Sequence, residues 1–353
     1  MPAGRRNLRA IDHERSSDEL LYTQTNDAGK NEVIAFRRSE NGNLSLLGRY
    51  ETGGKGSGKP HLPSQSSIAL SGGTLFVTNA GSNELSLFST SADGLKLKAC
   101  VASGGETPTS VAAHGDLAYV LNASGTPNVT GFKIGEGRLD RLATYELSAD
   151  SADPAQVAFS PDGKTLVVTE RGTDSISTFS IGSDGRAEGP KTIPSSGATP
   201  YGFDFASDGS LVVTEAFGGE VGAAAASSYR LEGDSALRPV SASIQNTRSE
   251  VCRAAVSKDG RFVYVTNFGD GTISRYAIGR DGSLELADPI AASTVLGEKG
   301  VRDESLSGDG RFLYALDADA QRVFGWAVED DGALSPVGDF DGLPATVAGL
   351  AAS

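Results

Sequence analysis

The sequence predicts an all-β protein, a seven-bladed β-propeller with four antiparallel strands in each blade. The first observation behind this prediction is a repeat that returns seven times along the 353 residues. The second is the glycine content, 45 residues, with many Asp-Gly and Asn-Gly steps between short apolar runs, because tight hairpin turns need positive φ angles. The third is the lack of helical periodicity sustained over three turns.

The repeat unit contains the four strands of one blade. In order, it has an alternating strand, a Ser-x-Asp-Gly turn, a second strand ending in a polar residue, a third strand, a glycine-containing turn and a fourth strand. The clearest copies are residues 157–189, 254–286 and 304–336. Weaker copies begin near Ile68, Val111 and Phe203.

The seventh copy is split between the two ends of the sequence. Residues 20–47 open at the second strand, and the missing first strand, TVAGLAAS, is found at residues 346–353. We therefore expect the C-terminal strand to pair with the N-terminal blade and close the ring, which leaves no open sheet edge. Residues 18–353 are then a single propeller domain, and residues 1–17, which lie outside the repeat, are expected to be disordered.

Composition limits the partners and the location of the protein. The formal net charge is −14, from 45 acidic and 31 basic residues, which argues against binding to nucleic acid. No apolar run of about 18 residues is present, so we expect no transmembrane helix. The start, MPAGRRNLRAIDHERSSDE, lacks the apolar core of an export signal, so a cytoplasmic protein is expected. Cys100 and Cys252 lie in different copies of the repeat and are expected to be free thiols.

The functional face is predicted from the direction of the strands. Since successive strands alternate in direction, the ends of the second strands and the openings of the inner strands should meet around one mouth of the central channel, where convergent side chains form a concave site. The Asp-Gly turns, and His114 in the equivalent turn, belong to the opposite face and are interpreted as turn chemistry. The second strands end at Asn26, Asn79, Asn122, Glu170, Glu215, Asn267 and Asp317. The inner-strand openings supply Gln65, Gln156, Tyr201, Cys252, Arg253, Arg302 and Asp303, and Arg171 follows Glu170.

Charged residues on this face are the candidates for catalysis. Asparagine has a turn advantage that explains its repetition, whereas Glu170 and Glu215 have none. Carboxylates near a channel mouth repel one another, which raises one pKa or recruits a cation. Arg253 lies between apolar residues in VCRAAVS, where it binds a substrate carboxylate or phosphate, or pairs with Glu215. His61 lies with Lys55 and Lys59 in the long insertion at residues 52–67, as a candidate anion site or a flexible loop.

Five stretches of the sequence resemble the seven-bladed lactonase family. They are YTQTNDAGKNEVIAF, SQSSIALSGGTLFVTNAGSNELSLF, GGETPTSVAAHGDLAYVLNASG, PAQVAFSPDGKTLVVTE and GLPATVAGLAA, and the likeness covers nearly all of residues 18–353. The family includes the propeller-type 6-phosphogluconolactonases and the fungal carboxymuconate cyclases. The resemblance therefore implies opening or closing of a lactone ring, with a small-molecule lactone or organic acid as partner.

The resemblance also implies a set of site residues. The cyclases use a histidine, an arginine that opens an inner strand and a glutamate that ends the next second strand. Glu170 matches that glutamate by position, Gln156 stands where the arginine is expected, and Arg253 occupies the equivalent place two blades later. No histidine of this sequence is matched to the family's histidine.

Three functions remain open from the sequence. The first is a metal-free lactone hydrolase for a sugar acid or an aromatic-derived acid, with Glu170 as base and Arg253 as oxyanion stabiliser, assisted by Glu215. The second is a lactonase that holds a divalent cation, and the third is a binding propeller without catalysis. We favour the first, without cofactor or metal, as a monomer or weak homo-oligomer. Predicted substrate-binding residues are His61, Gln65, Gln156, Arg171, Tyr201, Asn267 and Asp317. Cation ligands in the second function are Glu170, Glu215, Asn122, Asn267 and Asp317.

Overall fold

The computed structural model describes residues 19–60 and 62–353 and arranges them as seven antiparallel sheets of four strands. The predicted seven-bladed β-propeller is confirmed. Residues 1–18 and His61 lie outside the described residues, so the expectation for residues 1–17 and the role of His61 stay predictions.

Each blade runs from an inner strand at the channel to an outer strand at the rim. The inner strands are β4 (Ile68–Ser71), β8 (Glu106–His114), β12 (Pro154–Phe159), β16 (Pro200–Phe205), β20 (Val251–Val256), β24 (Val301–Leu306) and β28 (Ala348–Ala352). The second strands are β1 (Leu20–Gln24), β5 (Thr74–Asn79), β9 (Leu117–Ser124), β13 (Thr165–Glu170), β17 (Ser210–Glu215), β21 (Phe262–Asn267) and β25 (Phe312–Asp317).

The two remaining strands of each blade lie farther from the channel. The third strands are β2 (Glu32–Arg38), β6 (Glu84–Ser91), β10 (Asn128–Gly135), β14 (Ser175–Ile181), β18 (Ala225–Glu232), β22 (Thr272–Ile278) and β26 (Arg322–Val328). The outer strands are β3 (Leu44–Glu51), β7 (Gly94–Ala102), β11 (Arg138–Glu146), β15 (Ala187–Pro194), β19 (Ala236–Gln245), β23 (Leu284–Ser293) and β27 (Leu334–Phe340). Short 3-10 turns occupy Arg171–Thr173, Phe217–Gly219 and Gly233–Ser235.

The ring closes as the split repeat predicts. Strand β28 pairs with β1, with Leu21 opposite Ala352 and Tyr22 opposite Ala351. The hydroxyl of Thr23 donates a hydrogen bond to the carbonyl oxygen of Gly349 at 2.6 Å. This blade is therefore built from both ends of the described chain, which leaves no open edge at the channel. We call it blade 1 and number the others 2 to 7 in chain order, from the blade that contains β4 to the one that contains β24.

The apolar core lies between neighbouring blades. The second strands are largely buried on both faces, and all six residues of β13 are buried. Tyr119 of blade 3, for example, packs in one cluster with Val157 and Phe179 of blade 4. This two-sided burial explains why the second strands read as nearly continuous apolar runs, such as TLVVTE.

The Asp-Gly turns lie on the face opposite the inner-strand openings. Ser257 Oγ donates to Asp259 Oδ1 at 2.7 Å, and that oxygen also accepts a bond from the Arg261 backbone N–H at 3.0 Å. Gly260 has a φ of +71°, which other residues adopt only with strain. The interpretation of these turns as structural is confirmed. Cys100 and Cys252 are free thiols, as predicted.

Candidate active site

The ends of the second strands and the openings of the inner strands share one face, as predicted. Glu170 pairs with Pro154, Asn267 with Val251 and Asp317 with Val301, each at the start of an inner strand. Two second strands end at other residues than predicted. In blade 1, Gln24, opposite Ala348, occupies the strand end assigned to Asn26, and in blade 3 the strand continues past Asn122 to Ser124. Asn26 lies beyond the strand and donates to Ser57 Oγ at 2.9 Å.

Glu170 is buried between blades 3 and 4. Its side chain is 0% exposed, and its carboxylate accepts hydrogen bonds from Ser177 Oγ at 2.5 Å and Thr173 Oγ1 at 3.1 Å. The hydroxyl of Ser148, just after the outer strand of blade 3, donates a third bond. The structure therefore places Glu170 within a blade interface that is closed to solvent, and its catalytic role stays a prediction.

Glu215 has the same environment one blade later. Its carboxylate accepts bonds from Ser227 Oγ at 2.5 Å, Ser243 Oγ at 2.7 Å and the Gly197 backbone N–H at 2.8 Å. Burial raises the pKa of Glu215, and these hydrogen bonds oppose the rise. Like Glu170, Glu215 lies within the wall of the propeller. The ion pair with Arg253 that the sequence offers as an alternative is not among those formed by the described residues.

The remaining strand-end residues follow the same rule. Asn267 accepts a bond from Asn246 Nδ2 at 2.8 Å, and Asp317 accepts one from Thr294 Oγ1 at 2.6 Å. In each case the partner comes from the segment just after the outer strand of the preceding blade. Blades 1 to 6 supply these partners from Thr52, Ser103, Ser148, Ser195, Asn246 and Thr294. The strand-end residues are thus joints between blades, and the polar residue after each outer strand was the sequence signal for them.

A short segment crosses the channel mouth. Residues 62–67, which we call the plug, contact inner strands on several sides of the ring. The backbone N–H of Gln65 donates a hydrogen bond to the Ala155 carbonyl at 2.9 Å, and its side-chain Nε2 donates one to the Arg302 carbonyl at 3.2 Å. The buried Oε1 of Gln65 has no hydrogen-bond donor among the described residues. Ser64 Oγ donates to the Thr109 carbonyl at 2.8 Å. The insertion therefore reaches the predicted face, as expected, and covers the channel axis.

Arg253 and Gln156 project toward the axis beside the plug. Arg253 Nη1 donates to Ser66 Oγ at 2.5 Å, and its charge acts on the buried carboxyl groups of Asp204, Asp303 and Glu304. Gln156 exchanges two hydrogen bonds with the backbone of Phe203 in the next blade, at 2.8 and 3.0 Å. Arg253 therefore lies among carboxyl groups other than Glu170, and the structure does not bring the predicted base and oxyanion stabiliser together.

A pocket opens beside the plug, over blades 4 to 7. Its volume is about 430 Å³, within the range of small-molecule sites. Two arginines line it, each above an aromatic ring. Arg171 lies 5.0 Å from the ring centroid of Tyr201, and Arg302 lies 3.8 Å from that of Phe268. We call this the channel-mouth pocket, and its other lining residues are Pro63, Asp153, Thr199, Ala216, Gly218, Gly219, Glu250, Val251 and Cys252.

The two arginines differ in their partners. Arg171 forms an ion pair with Asp153 at 2.8 Å. Arg302 forms none within 4 Å and donates no side-chain hydrogen bond to any residue that the structure describes. An arginine that is partly withdrawn from water and lacks a carboxylate partner attracts an anion from solution. Among the described residues, Arg302 is therefore a guanidinium of the pocket that no carboxylate pairs with.

Three further side chains supply hydrogen-bonding or acid–base groups. Burial raises the pKa of Tyr201 well above its usual value, so the phenol remains a hydrogen-bond donor at neutral pH. Burial also raises the pKa of the Cys252 thiol, to about 12, so the thiolate is scarce. The Glu250 carboxylate accepts two bonds from Lys299 Nζ at 2.7 and 2.9 Å. Glu250 itself has a φ of +53°, a strained conformation of the kind found at functional sites.

The predicted site residues thus divide into three groups. Arg171 and Tyr201 line the channel-mouth pocket, while Arg253, Gln65 and Gln156 lie at the channel axis. The strand-end residues form the joints between blades. The sequence predicts Arg302 on this face but no role for it. It does not predict Phe268, which follows β21, or Glu250, which precedes β20, because neither residue belongs to a motif.

Among residues 19–60 and 62–353, no group of three or more His, Cys, Asp or Glu side chains is arranged to hold a metal ion. Metal dependence stays an open prediction. No helix of the described residues is long and apolar enough to cross a bilayer. The cytoplasmic location and the oligomeric state also stay predictions.

Comparison with known proteins supports the fold and gives a family. The family model described as lactonase, 7-bladed β-propeller, matches residues 111–217 and 216–346. A comparison with curated protein sequences finds no match.

Solved structures share this fold at low sequence identity. A protein from Lactobacillus plantarum is 16% identical, with a TM-score of 0.75 over 94% of this chain and 98% of that chain. The periplasmic gluconolactonase of Pseudomonas aeruginosa is 18% identical, with a TM-score of 0.70 over 93% and 98% of the two chains. A protein of Bacteroides fragilis, provisionally assigned as a 6-phosphogluconolactonase, is 18% identical, with a TM-score of 0.70 over 95% and 99%.

Proposed function

Because the chain belongs to the family of seven-bladed β-propeller lactonases, we propose that it hydrolyses a lactone carrying an anionic group in the channel-mouth pocket. The observation that carries the proposal is Arg302, a guanidinium without a carboxylate partner among the described residues, in an open pocket of about 430 Å³. A carboxylate or phosphate of the substrate supplies the missing partner.

The neighbouring side chains provide a route for the reaction. Glu250 accepts a proton from a water molecule as the water oxygen attacks the lactone carbonyl carbon. The negative charge that develops on the carbonyl oxygen is stabilised by the Tyr201 hydroxyl, which donates a hydrogen bond. When the ring C–O bond breaks, the proton returns from Glu250 to the leaving oxygen. The product is the open hydroxy acid, and no co-reactant other than water is consumed.

Direct attack by the protein is a poorer route. Among the described residues, the sulfur nucleophile that lines the pocket is Cys252, and its raised pKa, about 12, keeps it as a thiol at neutral pH. The proposal therefore places water, not an acyl-enzyme, in the ring-opening step.

The substrate class follows from the two halves of the pocket. Arg302 and Arg171 offer planar groups that bind carboxylate or phosphate oxygens, and Tyr201 and Phe268, whose rings lie under these arginines, add aromatic atoms to the pocket lining. A phosphorylated sugar lactone fits these groups, as does a lactone of an aromatic-derived acid. The names of two structural neighbours, a gluconolactonase and a provisional 6-phosphogluconolactonase, support a sugar lactone, and the second name supports a phosphorylated one.

The proposal is tested by measuring hydrolysis of a lactone panel above the spontaneous rate, with and without EDTA. The panel pairs phosphorylated and carboxylated lactones with neutral lactones of the same ring size. We expect EDTA-resistant turnover that is faster for the charged than for the neutral lactones, and loss of this preference in Arg302→Gln but not in Arg138→Gln, an exposed arginine of blade 3. Loss of activity in EDTA would move the assignment to a metal-dependent lactonase. No turnover of any lactone would leave a binding propeller.

A further inference from the structure

Arg302 and Asp303 are consecutive on strand β24, but they face different surroundings. Arg302 lines the channel-mouth pocket and stacks on Phe268. Asp303 is only 4% exposed, and its Oδ1 has no hydrogen-bond partner among the residues that the structure describes. Both residues border a small cavity of about 10 Å³ next to the plug, close to the room that one water molecule needs.

The charges around Asp303 come from a few strands. Arg253 and Cys252 face it from β20, Tyr201 from β16, and Arg302 and Glu304 from its own strand. On β25, Asp317 is turned away toward Thr294, and Tyr314 donates to the Gly42 carbonyl. Strand β28 and the plug carry no charged side chain in their described residues. No salt bridge within 4 Å joins Asp303 to either arginine in this part of the chain.

We infer that Asp303 is a positioning residue for the pocket, whose protonation sets how strongly Arg302 binds a substrate anion. The inference rests on the anion pocket of the proposed function, but it does not depend on catalysis. Because Asp303 is buried, its charge acts on Arg253 and on Arg302 with less screening than a charge exposed to water would have.

The direction of the effect follows from the charge states. Burial raises the pKa of Asp303 to about 6, and the positive charges of Arg253 and Arg302 limit the rise. Below this pH Asp303 is neutral, and the charge of Arg302 is available to an anion. Above it, the ionised carboxylate offsets the charge of Arg302 and repels the anion. Anion affinity therefore falls as the pH rises through about 6.

By thermodynamic linkage, anion binding to Arg302 also changes the pKa of Asp303. A bound anion stabilises the protonated form of Asp303, so its pKa rises and the complex takes up a proton when it forms near neutral pH. A rise of about one pKa unit corresponds to about a tenfold difference in affinity between the two protonation states.

Sulfate is a suitable probe, because its charge does not change near neutral pH. Its affinity is measured by isothermal titration calorimetry on the full chain at about pH 5 and about pH 8, either side of the relevant pKa. We expect binding about tenfold tighter at the lower pH. In two buffers of different ionisation enthalpy, we also expect net proton uptake on binding near neutral pH. This second measurement needs no variant.

Three variants separate the inference from the proposed function. Asp303→Asn should bind sulfate with nearly the same affinity at both pH values and without proton uptake, while Asp93→Asn, at an exposed turn, should behave as wild type. Arg302→Gln should lose sulfate binding at both. If Asp303→Asn keeps the wild-type pH dependence, or wild type shows none, the inference is overturned while the pocket stands. If wild type does not bind sulfate at either pH, the anion pocket itself is overturned.

Discussion

The guanidinium of Arg302 lies 3.8 Å from the centroid of the Phe268 ring. A guanidinium this close to an aromatic face is attracted by the ring, which restricts the positions that the side chain adopts. Phe268 follows the second strand of blade 6, and Arg302 is the second residue of the inner strand of blade 7, so the contact also joins two blades at the pocket. The contact explains how an arginine without an ion pair is held in place.

Phe268→Leu should weaken substrate binding more than it slows the chemical step. Without the ring, Arg302 loses an attraction of about 1 kcal/mol and samples more conformations. We expect KM for a charged lactone to rise about fivefold with kcat nearly unchanged. Steady-state kinetics with a charged and a neutral lactone of the same ring size measure this. An equal loss for both lactones would contradict the proposed role of Arg302.

Glu250→Gln and Glu170→Gln distinguish the two candidate bases. Removing the general base from the pocket should lower kcat by about a hundredfold or more. We expect that loss in Glu250→Gln. Glu170→Gln should keep most of its activity, because the buried carboxylate contacts only hydroxyl and backbone groups between blades. The reverse result would restore the catalytic role that the sequence predicts for Glu170.

Cys252→Ala should leave lactone turnover nearly unchanged. The thiol is buried and its pKa is raised to about 12, so neutral-pH chemistry does not depend on a thiolate. In wild type, we expect slow reaction of Cys252 with a thiol reagent under native conditions and fast reaction after unfolding. Rapid inactivation by the reagent, prevented by substrate, would instead indicate a nucleophilic cysteine.

Glu215→Gln should change the pH dependence of stability. The pKa of Glu215 is raised in the folded state, so its stabilising contribution is complete below its unfolded pKa and is lost as the pH rises through the folded value. Glutamine remains neutral and avoids this loss. We expect the melting temperature of the variant, relative to wild type, to increase from acidic to neutral pH. A constant difference across this range would show that Glu215 is ionised without cost in the fold.

The repeat pattern was enough to predict the ring, because it recurs in every blade and its period reports blade geometry directly. The split copy at residues 20–47 and 346–353 likewise predicted the pairing of Leu21 with Ala352. Such features depend on local turns and alternation, which a single sequence displays.

The site was harder to predict, because it depends on which way a side chain points at the end of a strand. Glu170 and Arg171 are neighbours, yet Glu170 enters the blade interface and Arg171 reaches the pocket. Two of the hydroxyl groups that bond to Glu170 come from different blades, that of Ser148 from blade 3 and that of Ser177 from blade 4. The stacking of Arg302 on Phe268 likewise joins residues of separate blades, and no spacing along one repeat indicates it.

The most direct test compares 6-phosphogluconolactone with gluconolactone, which differ only by the phosphate, for wild type and Arg302→Gln. If Arg302 binds the substrate anion during hydrolysis, wild type will prefer the phosphorylated lactone in kcat/KM by about tenfold or more, as expected for one charged hydrogen-bonded contact. Arg302→Gln will then lose that preference while both rates stay above the spontaneous rate. Equal preference in the two proteins, or no enzymatic rate with either lactone, would contradict the account.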